Sequence, residues 1–192
     1  GYDGSGNVTS MTDGAGFTYS YRYDANGMVI LETRPDGSTI GAVYNQKGYL
    51  AKQTDSYGNT TSYEYDTDGN LIKLTDKAGN VTQYAYDKDK NNTQITTPDG
   101  AVTKYIYNKE GWLLREEYDN GSFKNYTYDI MGRVLQIDFA NGSKETYEYD
   151  RIGNLIKKTG RDGLSETYTY DAYGNLLTSI SDTGEKLTYT YD

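Results

Sequence analysis

The chain has 192 residues, of which 28 are acidic and 19 are basic. Its net charge of −9 argues against a nucleic-acid partner, because phosphate contacts require clustered Lys and Arg. It contains no Cys and no His, which excludes disulfides, thiolate catalysis and the usual transition-metal ligands. No apolar run approaches the roughly 18 residues of a membrane helix, so we expect no membrane span.

A Tyr-Asp pair, or its Tyr-Asn variant, recurs along the whole chain every 21 residues without insertion or deletion. A fixed period of roughly 20–50 residues is the signature of stacked repeats. The mean hydropathy of −0.86 alone would suggest disorder. The 23 tyrosines, however, fall in phase with the repeat and predict a thin aromatic core spread along an ordered array. The tyrosines of the pair are Tyr2, Tyr23, Tyr44, Tyr65, Tyr86, Tyr107, Tyr128, Tyr149, Tyr170 and Tyr191.

Within one repeat the predicted elements follow each other as turn, strand, turn and strand. In the stretch "DTDGNLIKLTDKAGNVTQYAYD", Asp, Asn and Gly mark turns at 66–70 and 76–80, and "LIKLT" and "VTQYAY" have strand composition. Tyr84 and Tyr86 are two residues apart, which places both rings on one face of a strand but not of a helix. A coiled coil of three heptads is rejected by this spacing and by the glycines. We therefore predict an all-β fold, with about nine tandem 21-residue antiparallel β-hairpins in residues 1–192 that form a curled or spiralling sheet.

Two more series keep the same period and complete the predicted site residues. A second row of tyrosines stands two residues before each pair, at Tyr21, Tyr63, Tyr84, Tyr105, Tyr126, Tyr147, Tyr168 and Tyr189, with Ala42 as the exception. The turn glycines are Gly16, Gly37, Gly58, Gly79, Gly100, Gly121, Gly142, Gly163 and Gly184. We predict that the tyrosines form two structural ladders across the strands and set the register. We expect the Asp of each pair to bond the turn backbone, as Asn45 and Asn108 also can.

The opposite strand of each hairpin begins with an apolar column, Val8, Val29, Leu50, Leu71, Leu113, Val134, Leu155 and Leu176. The next position is also largely apolar, so we expect both faces of the sheet to be partly covered. Residues 86–100 depart from the pattern, because Lys90 replaces a turn Gly and Asn92 replaces an apolar column residue. We interpret this stretch as one weak hairpin with a kink or an exposed rim.

Two acidic patterns have sharper interpretations that we reject. Asp66 and Asp68 are spaced like the start of a calcium loop, but the loop is too short and lacks a closing Glu. Every repeat carries a similar acid, so no carboxylate pair is singled out for catalysis. We predict no enzyme, no catalytic residue, no cofactor and no metal site.

The stretch "YDTDGNLIKLTDKAGNVTQYAYD" resembles the Rhs or YD repeat family, in which Tyr-Asp, two residues, Gly-Asn or Gly-Arg, Leu, Thr and a Gly turn precede the next tyrosines. The resemblance covers residues 1–192. This family includes bacterial Rhs polymorphic toxins, the shell component of Tc toxins, wall-associated proteins and teneurins. The resemblance implies a hollow shell of spiralling hairpins, which in the toxins encloses a cargo domain. The cap and self-cleavage motif of the toxin members have no counterpart here, so we expect this segment to supply wall alone.

The leading expectation is therefore a structural repeat segment in the wall of a shell that encloses a toxin or cargo domain. One alternative is an open cell-surface fibre or tube of the same repeats, and another is a carbohydrate-binding surface built from the tyrosine ladders. Expected partners are further YD repeats of the same or identical chains, an enclosed toxin domain, or glycans. We expect the parent protein to be secreted or on the cell surface of a bacterium.

Overall fold

The computed structural model describes residues 1–191, which form eighteen β-strands joined by turns, with no helix in this range. The Asp of the last Tyr-Asp pair, residue 192, lies outside the described residues. The chain divides into two compact units, residues 1–100 and the residues from 101 onward. Each unit contains nine strands.

The strands of both units are short, five or six residues in most cases, as the repeat length predicts. In unit 1 they are β1 (Ser10–Thr12), β2 (Thr18–Tyr23), β3 (Val29–Thr33), β4 (Thr39–Tyr44), β5 (Leu50–Asp55), β6 (Thr60–Tyr65), β7 (Leu71–Thr75), β8 (Val81–Tyr86) and β9 (Asn92–Thr96). In unit 2 they are β10 (Val102–Tyr107), β11 (Leu113–Tyr118), β12 (Phe123–Tyr128), β13 (Val134–Phe139), β14 (Lys144–Tyr149), β15 (Leu155–Thr159), β16 (Ser165–Tyr170), β17 (Leu176–Ser181) and β18 (Lys186–Thr188).

Within each unit, every strand pairs antiparallel with the strands that precede and follow it in the chain. In the hairpin β6–β7, for example, Tyr63 pairs with Leu74 and Tyr65 pairs with Leu71. The register shifts between Glu64 and Tyr65, and the equivalent shift recurs next to the Tyr-Asp tyrosine in the other repeats. This geometry confirms the all-β fold of tandem 21-residue antiparallel hairpins.

Two rows of turns connect the strands, and both have the same backbone geometry. The YD turns are the five-residue segments that begin at the Asp or Asn of the pair, such as 66–70, and the distal turns lie at the other end of the strands, such as 76–80. In both, the N–H of the fourth residue, Gly69 or Gly79, donates to the first residue's carbonyl, and the first residue's N–H donates to the fifth residue's carbonyl. This is a type I turn followed by a left-handed residue, which explains why the fourth position is Gly.

The irregular stretch 86–100 folds like its neighbours, so the prediction of a kink was wrong. Lys90 takes the left-handed conformation of the missing Gly, with φ of 68°. The turn keeps both backbone bonds, because the N–H of Asp87 donates to Asn91 (3.0 Å) and that of Lys90 donates to Asp87 (3.1 Å). The hydrogen bonds of the hairpin outweigh the conformational cost, which is about 1–2 kcal/mol for a residue with a Cβ.

Each unit is a single layer of strands without a buried hydrophobic core. Among the described residues no hydrophobic side chain is fully buried, and Ser179 is the one buried polar residue. The tyrosines are mostly half-buried on one face, whereas the residue between them, such as Ile106 at 47%, is exposed on the other. The expectation that both faces are partly covered therefore holds only in the sense that neighbouring side chains of the same layer shield each other.

Candidate functional site

The tyrosine of the pair connects its own YD hairpin, the two strands joined by its Tyr-Asp turn, to the preceding YD hairpin through its hydroxyl group. Tyr65 ends strand β6, and its hydroxyl donates to the main-chain carbonyl of Leu50, at the start of the adjacent strand β5, at 3.0 Å. The acceptor, Leu50, is the residue that the preceding hairpin contributes to the apolar column. The same bond across fifteen residues is made by Tyr23, Tyr44, Tyr86, Tyr128, Tyr170 and Tyr191, at 2.7–3.0 Å. A hydroxyl is needed at this position in addition to a ring.

The rings of these tyrosines are covered by the fifth residue of the preceding YD turn. The Tyr49 ring lies 5.1 Å from that of Tyr65, and the Trp112 ring lies 5.4 Å from that of Tyr128. At Tyr149 the cover is a cation, since the Arg133 guanidinium carbon is 4.8 Å from the ring centre. Such aromatic and cation–π contacts contribute about 0.5–1.5 kcal/mol each. We call this fifth position the cover residue.

The cover residue also crowds the glycine of the next YD turn. A Cβ added at Gly69 would lie 2.5 Å from the Tyr49 hydroxyl oxygen, and one added at Gly132 would lie 2.9 Å from the Trp112 ring. Lys90 is tolerated at the equivalent place because its cover residue is the small Asn70. Where the cover residue is Tyr or Trp, the glycine of the next YD turn is thus required by its neighbour as well as by its own φ.

The Asp or Asn that follows the tyrosine bonds the turn backbone in all nine described YD turns. Asp66 Oδ1 accepts the N–H groups of Asp68 (2.9 Å) and Asn70 (2.8 Å), and Asn45 does the same for Lys47 and Tyr49. Where the cover residue is Asn, its amide also donates to Oδ2, as Asn70 does at 2.8 Å. This side-chain bond, with the backbone bonds, holds the pKa of Asp66 below its usual value.

The second row of tyrosines makes different contacts in different repeats. In unit 1, Tyr63 and Tyr84 pair across the hairpin with the apolar Leu74 and Ile95. In unit 2, Tyr147 and Tyr168 donate their hydroxyls to the carboxylates of Glu145 (2.7 Å) and Glu166 (3.0 Å). Burial, followed by these carboxylates, raises the pKa of both phenols to about 12.

Glu116 is the centre of the densest polar cluster in unit 2. Its carboxylate accepts bonds from the hydroxyls of Tyr118 and Tyr126 and from the ammonium of Lys124 (3.0 Å). Desolvation, the largest influence, raises the pKa of Glu116, but these donors together outweigh it and leave that pKa lowered. Every oxygen is occupied by a protein donor, so the cluster stabilises the sheet and offers no free acid or base.

The predicted distal-turn glycines have a simpler role than the tyrosines. All nine have φ between +79° and +89°, the left-handed region that favours Gly. A Cβ added at Gly79, or at the other eight, would meet no atom within 4 Å. The structure therefore brings the two tyrosine rows together with the YD turns and leaves the distal glycines apart from them.

Sequence reasoning missed both the bond across fifteen residues and the cover residue. The signal for the bond was present, because Phe never replaces Tyr in the ten copies of the pair. The cover residue is Asn in five of the nine described YD turns and Met, Tyr, Trp or Arg in the others, so its residue type does not reveal the contact with the next tyrosine. Its role depends on a contact with the next repeat, and the sequence of one repeat does not reveal such a contact.

The arrangement is suited to holding strands together. No group of three or more acidic side chains in the described range is placed to hold a metal ion. None of the described residues forms a helix long and apolar enough to cross a membrane. The hydroxyls of seven pair tyrosines are bonded to the main chain, so the geometry gives no support to a carbohydrate surface built on the ladder of pair tyrosines.

Comparison with known proteins identifies two families of matching repeats. The Teneurin YD-shell family matches residues 38–192, and the RHS repeat family matches residues 2–39. A search of curated proteins finds no match.

Solved structures with the same fold come from Tc toxin complexes. The TcdB2-TccC3-TEV structure has a TM-score of 0.80 at 20% identity, over 95% of this chain and 12% of that one. The Tc holotoxin pore of Photorhabdus luminescens, with a mutated TccC3, has a TM-score of 0.76 at 18% identity, over 90% of this chain and 12% of that one. The chain spans about an eighth of the length of these proteins, and at this identity the likeness shows the fold alone.

Proposed function

Because the chain belongs to the Teneurin YD-shell family, we propose that it is a non-catalytic wall segment of a hollow YD-repeat shell that encloses a toxin or other cargo domain of its parent protein. The observation that carries this proposal is the family match over residues 38–192. The likeness in fold to the TcdB2-TccC3 complexes supports it. The expected partners are further YD repeats and the enclosed domain, and the expected location is outside the cell, in a bacterial protein.

The pair tyrosines are the structural residues of this wall in our proposal. Tyr65 and Tyr128 each contribute a ring that a cover residue shields and a hydroxyl that binds the preceding hairpin. Both contacts lie between neighbouring repeats, where a repeat array derives much of its stability. A wall built this way needs no separate hydrophobic core, which agrees with the absence of buried hydrophobic side chains in the described residues.

Electron microscopy of the intact protein that contains these residues tests the proposal. We expect closed hollow particles with density inside them. The enclosed domain should also be protected from added protease. Open particles, or a domain that is digested at the same rate as an isolated copy, would contradict enclosure.

Variants of the wall add a matched control to this experiment. Replacing Tyr65 and Tyr86 by Phe removes two bonds between repeats and should increase the rate at which the enclosed domain is digested. Tyr57→Phe changes an exposed ring that is 90% accessible and should leave the rate unchanged. If the enclosed domain is digested at the same rate in both variants, the tyrosine bonds do not contribute to the integrity of the wall.

An open fibre or tube is the second candidate, and the regularity of the repeat favours it. The 21-residue period has no insertion, and the bond across fifteen residues recurs with nearly the same length. A fixed geometry between neighbours extends as a helical assembly unless the rotation closes. Long filaments in the same micrographs would favour this candidate over the shell.

A further inference from the structure

Two successive distal turns in unit 2 end in Asn-Gly-Ser and are bonded differently from the usual distal turn. In the usual form, Asp55 begins the turn and accepts the backbone N–H groups of the third and fifth residues. In "YDNGS" and "FANGS", Tyr118 and Phe139 stand in the first place. The Asn at the third position, Asn120 or Asn141, is then the side chain that bonds the turn.

The carboxamide oxygen of each of these asparagines accepts two hydrogen bonds from the following Ser. Asn120 Oδ1 accepts the N–H of Ser122 (2.9 Å) and its hydroxyl (2.6 Å). Asn141 Oδ1 accepts the N–H of Ser143 (3.1 Å) and its hydroxyl (2.7 Å). Two donors aimed at one carbonyl oxygen stabilise the negative charge that develops there when a nucleophile attacks the carbon. The carboxamide carbon, Cγ, is therefore activated in both turns.

The Gly between the Asn and the Ser supplies a nucleophile close to this carbon. The bond from Ser143 N–H to Asn141 Oδ1 closes a ring that contains both Asn141 Cγ and the Gly142 nitrogen, which keeps these two atoms near each other. No atom lies within 4 Å of the place of a Cβ at Gly142, so no side chain hinders the approach. One turn bond, from Gly142 N–H to the Phe139 carbonyl at 2.9 Å, must open before the nitrogen attacks.

Arg161 distinguishes the second of these turns from the first. Its guanidinium carbon lies 4.1 Å from the centre of the Phe139 ring, and its Nε donates to Ser143 Oγ at 3.0 Å. A hydroxyl that accepts a bond from a cation is itself a stronger donor, here to Asn141. In the described part of the chain, Ser122 receives no such bond. Of the two carboxamides, that of Asn141 is therefore the more strongly activated.

We propose that Asn141 and Asn120 are self-modification sites, at which the folded distal turn promotes conversion of Asn to a mixture of aspartate and isoaspartate. The site needs only the folded unit 2, so it is independent of the shell and fibre proposals. Each conversion replaces a neutral carboxamide by a carboxylate and adds one negative charge to the turn. Isoaspartate also lengthens the main chain of the turn by one methylene group.

The chemistry requires water and no other reactant. Solvent hydroxide removes the proton of Gly142 N–H, and the nitrogen forms a bond with Asn141 Cγ while the charge moves to Oδ1. The carbon–nitrogen bond of the carboxamide then breaks, and its nitrogen takes a proton from water and leaves as ammonia. A second water molecule opens the resulting cyclic imide at either of its two carbonyl groups, which gives aspartate or isoaspartate.

Asn26 is a matched comparison within the same chain. It also precedes a Gly in a turn, and Gly27 has a φ of 78°, close to the 81° of Gly142. The N–H of Met28, two residues on, donates to Asp24 Oδ1 at 2.9 Å and not to Asn26. Within the described residues the Asn26 carboxamide forms no hydrogen bond. Asn26 thus has the same nucleophile without the activated carbonyl.

Timed incubation of the 192-residue chain in mildly alkaline buffer, followed by peptide mass spectrometry, tests the proposal. Isoaspartate is identified in the same peptides by enzymatic methylation. We expect Asn141 and Asn120 to be converted at least about threefold faster than Asn26, with Asn141 the fastest. In urea the folded contacts are lost, so the three rates should become similar. Equal rates in the folded chain, or a difference that persists in urea, would overturn the proposal.

Variants assign the activation to the Ser hydroxyl and to Arg161. Ser143→Ala keeps the backbone N–H and removes the hydroxyl, so it should slow conversion of Asn141 at least about threefold and leave Asn120 unchanged. Ser122→Ala is the reciprocal control, because it should slow Asn120 alone. A Ser143→Ala chain in which Asn141 reacts at the parental rate or faster, with unfolding unchanged, would contradict the activation.

Arg161→Gln alters an exposed side chain and should slow Asn141 at least about twofold without affecting Asn120. Urea unfolding measured in parallel shows whether unit 2 is intact in this variant. An unchanged rate at Asn141 would refute the contribution of Arg161.

Discussion

The YD turns and the distal turns have the same backbone geometry but different surroundings. A YD turn lies against the next YD turn, so that Tyr49 covers Tyr65 and crowds Gly69. At the distal turns, a side chain added at Gly79 would meet open space. The glycines of the YD turns are therefore more closely approached by the neighbouring repeat than those of the distal turns, where contacts such as that of Arg161 with Ser143 involve other residues.

This difference explains which turn residues vary along the chain. The first residue of every YD turn is Asp or Asn, whereas the distal turns begin with residues as different as Asp13, Arg34, Thr97 and Phe139. A distal turn can replace its first acceptor by one at the third position, as Asp36 does for Ser38 at 2.9 Å. In a YD turn the same acceptor also orients the cover residue on the next tyrosine. The residue type at a turn position is thus more uniform where that position supports a contact with the next repeat, although both kinds of turn have the same backbone geometry.

The largest predicted effect is the contrast between Gly69→Ala and Gly79→Ala. Both substitutions put a Cβ on a left-handed residue, which costs about 1–2 kcal/mol. At Gly69 the added methyl also collides with Tyr49 and adds about 1–3 kcal/mol of overpacking. Urea unfolding of the 192-residue chain should therefore show a greater loss of stability for Gly69→Ala. In a Tyr49→Ala background the two losses should become similar, and equal losses in the native background would contradict the role of the cover residue.

Asn92 is the next test, because it stands where the residue after a YD turn is apolar in the other repeats. Its Oδ1 is buried and has no hydrogen-bond partner. An unsatisfied buried polar atom costs about 1–3 kcal/mol. Asn92→Leu should therefore raise the free energy of unfolding by an amount in this range. The reciprocal change, Leu71→Asn in the preceding repeat, should lower it, and a stabilising effect there would refute the argument.

The hydroxyl bond between repeats is expected to have a smaller effect. Tyr65→Phe keeps the ring under Tyr49 and removes the donor to the Leu50 carbonyl. A hydrogen bond of this kind contributes about 0.5–1.5 kcal/mol, so the midpoint of urea unfolding should fall accordingly. Tyr57→Phe in a distal turn is the control and should leave the midpoint unchanged. If the two variants unfold alike, the ring alone accounts for the tyrosine.

Lys90 gives a stabilising prediction in the row of YD turns. Lys90→Gly removes the strain of a left-handed Lys, about 1–2 kcal/mol, and gives back about 0.4–1 kcal/mol of chain entropy in the unfolded state. We expect a net gain of about 0.5–1 kcal/mol in thermal or urea unfolding. Lys90→Ala keeps the Cβ and should show no gain. A stabilised Ala variant would mean that the Lys side chain, and not its φ, carries the cost.

The sequence predicts the hairpin period well and the contacts between hairpins poorly. Strand positions such as Leu71–Thr75 and Val81–Tyr86 follow from turn residues and from side-chain alternation, which are local properties. The behaviour of Lys90 was mispredicted because local propensity favours Gly, while the paired strands β8 and β9 impose the turn. The contact of Arg161 with Phe139 was also missed, because the two residues belong to different distal turns that only the folded register brings together.

The smallest predicted effect concerns the pH dependence of the free energy of unfolding, for which substitutions of Asp66 and Asp68 in one YD turn should differ. The hydrogen bond from the Asn70 amide, assisted by backbone N–H groups, lowers the pKa of folded Asp66 below its ordinary value of 3.8. The unfolded chain therefore binds the proton more readily, and the stabilising contribution of Asp66 is complete above about pH 4 and is lost as the pH falls through the folded pKa.

Asp66→Asn keeps an acceptor for the turn and removes the titration, as in the natural Asn45 turn. Its free energy of unfolding should depend less on pH between about 2 and 5 than that of the parent chain. Asp68→Asn, an exposed change in the same turn, should retain the dependence of the parent chain, and a loss of pH dependence in that variant would show that overall charge, and not the turn bond, is responsible.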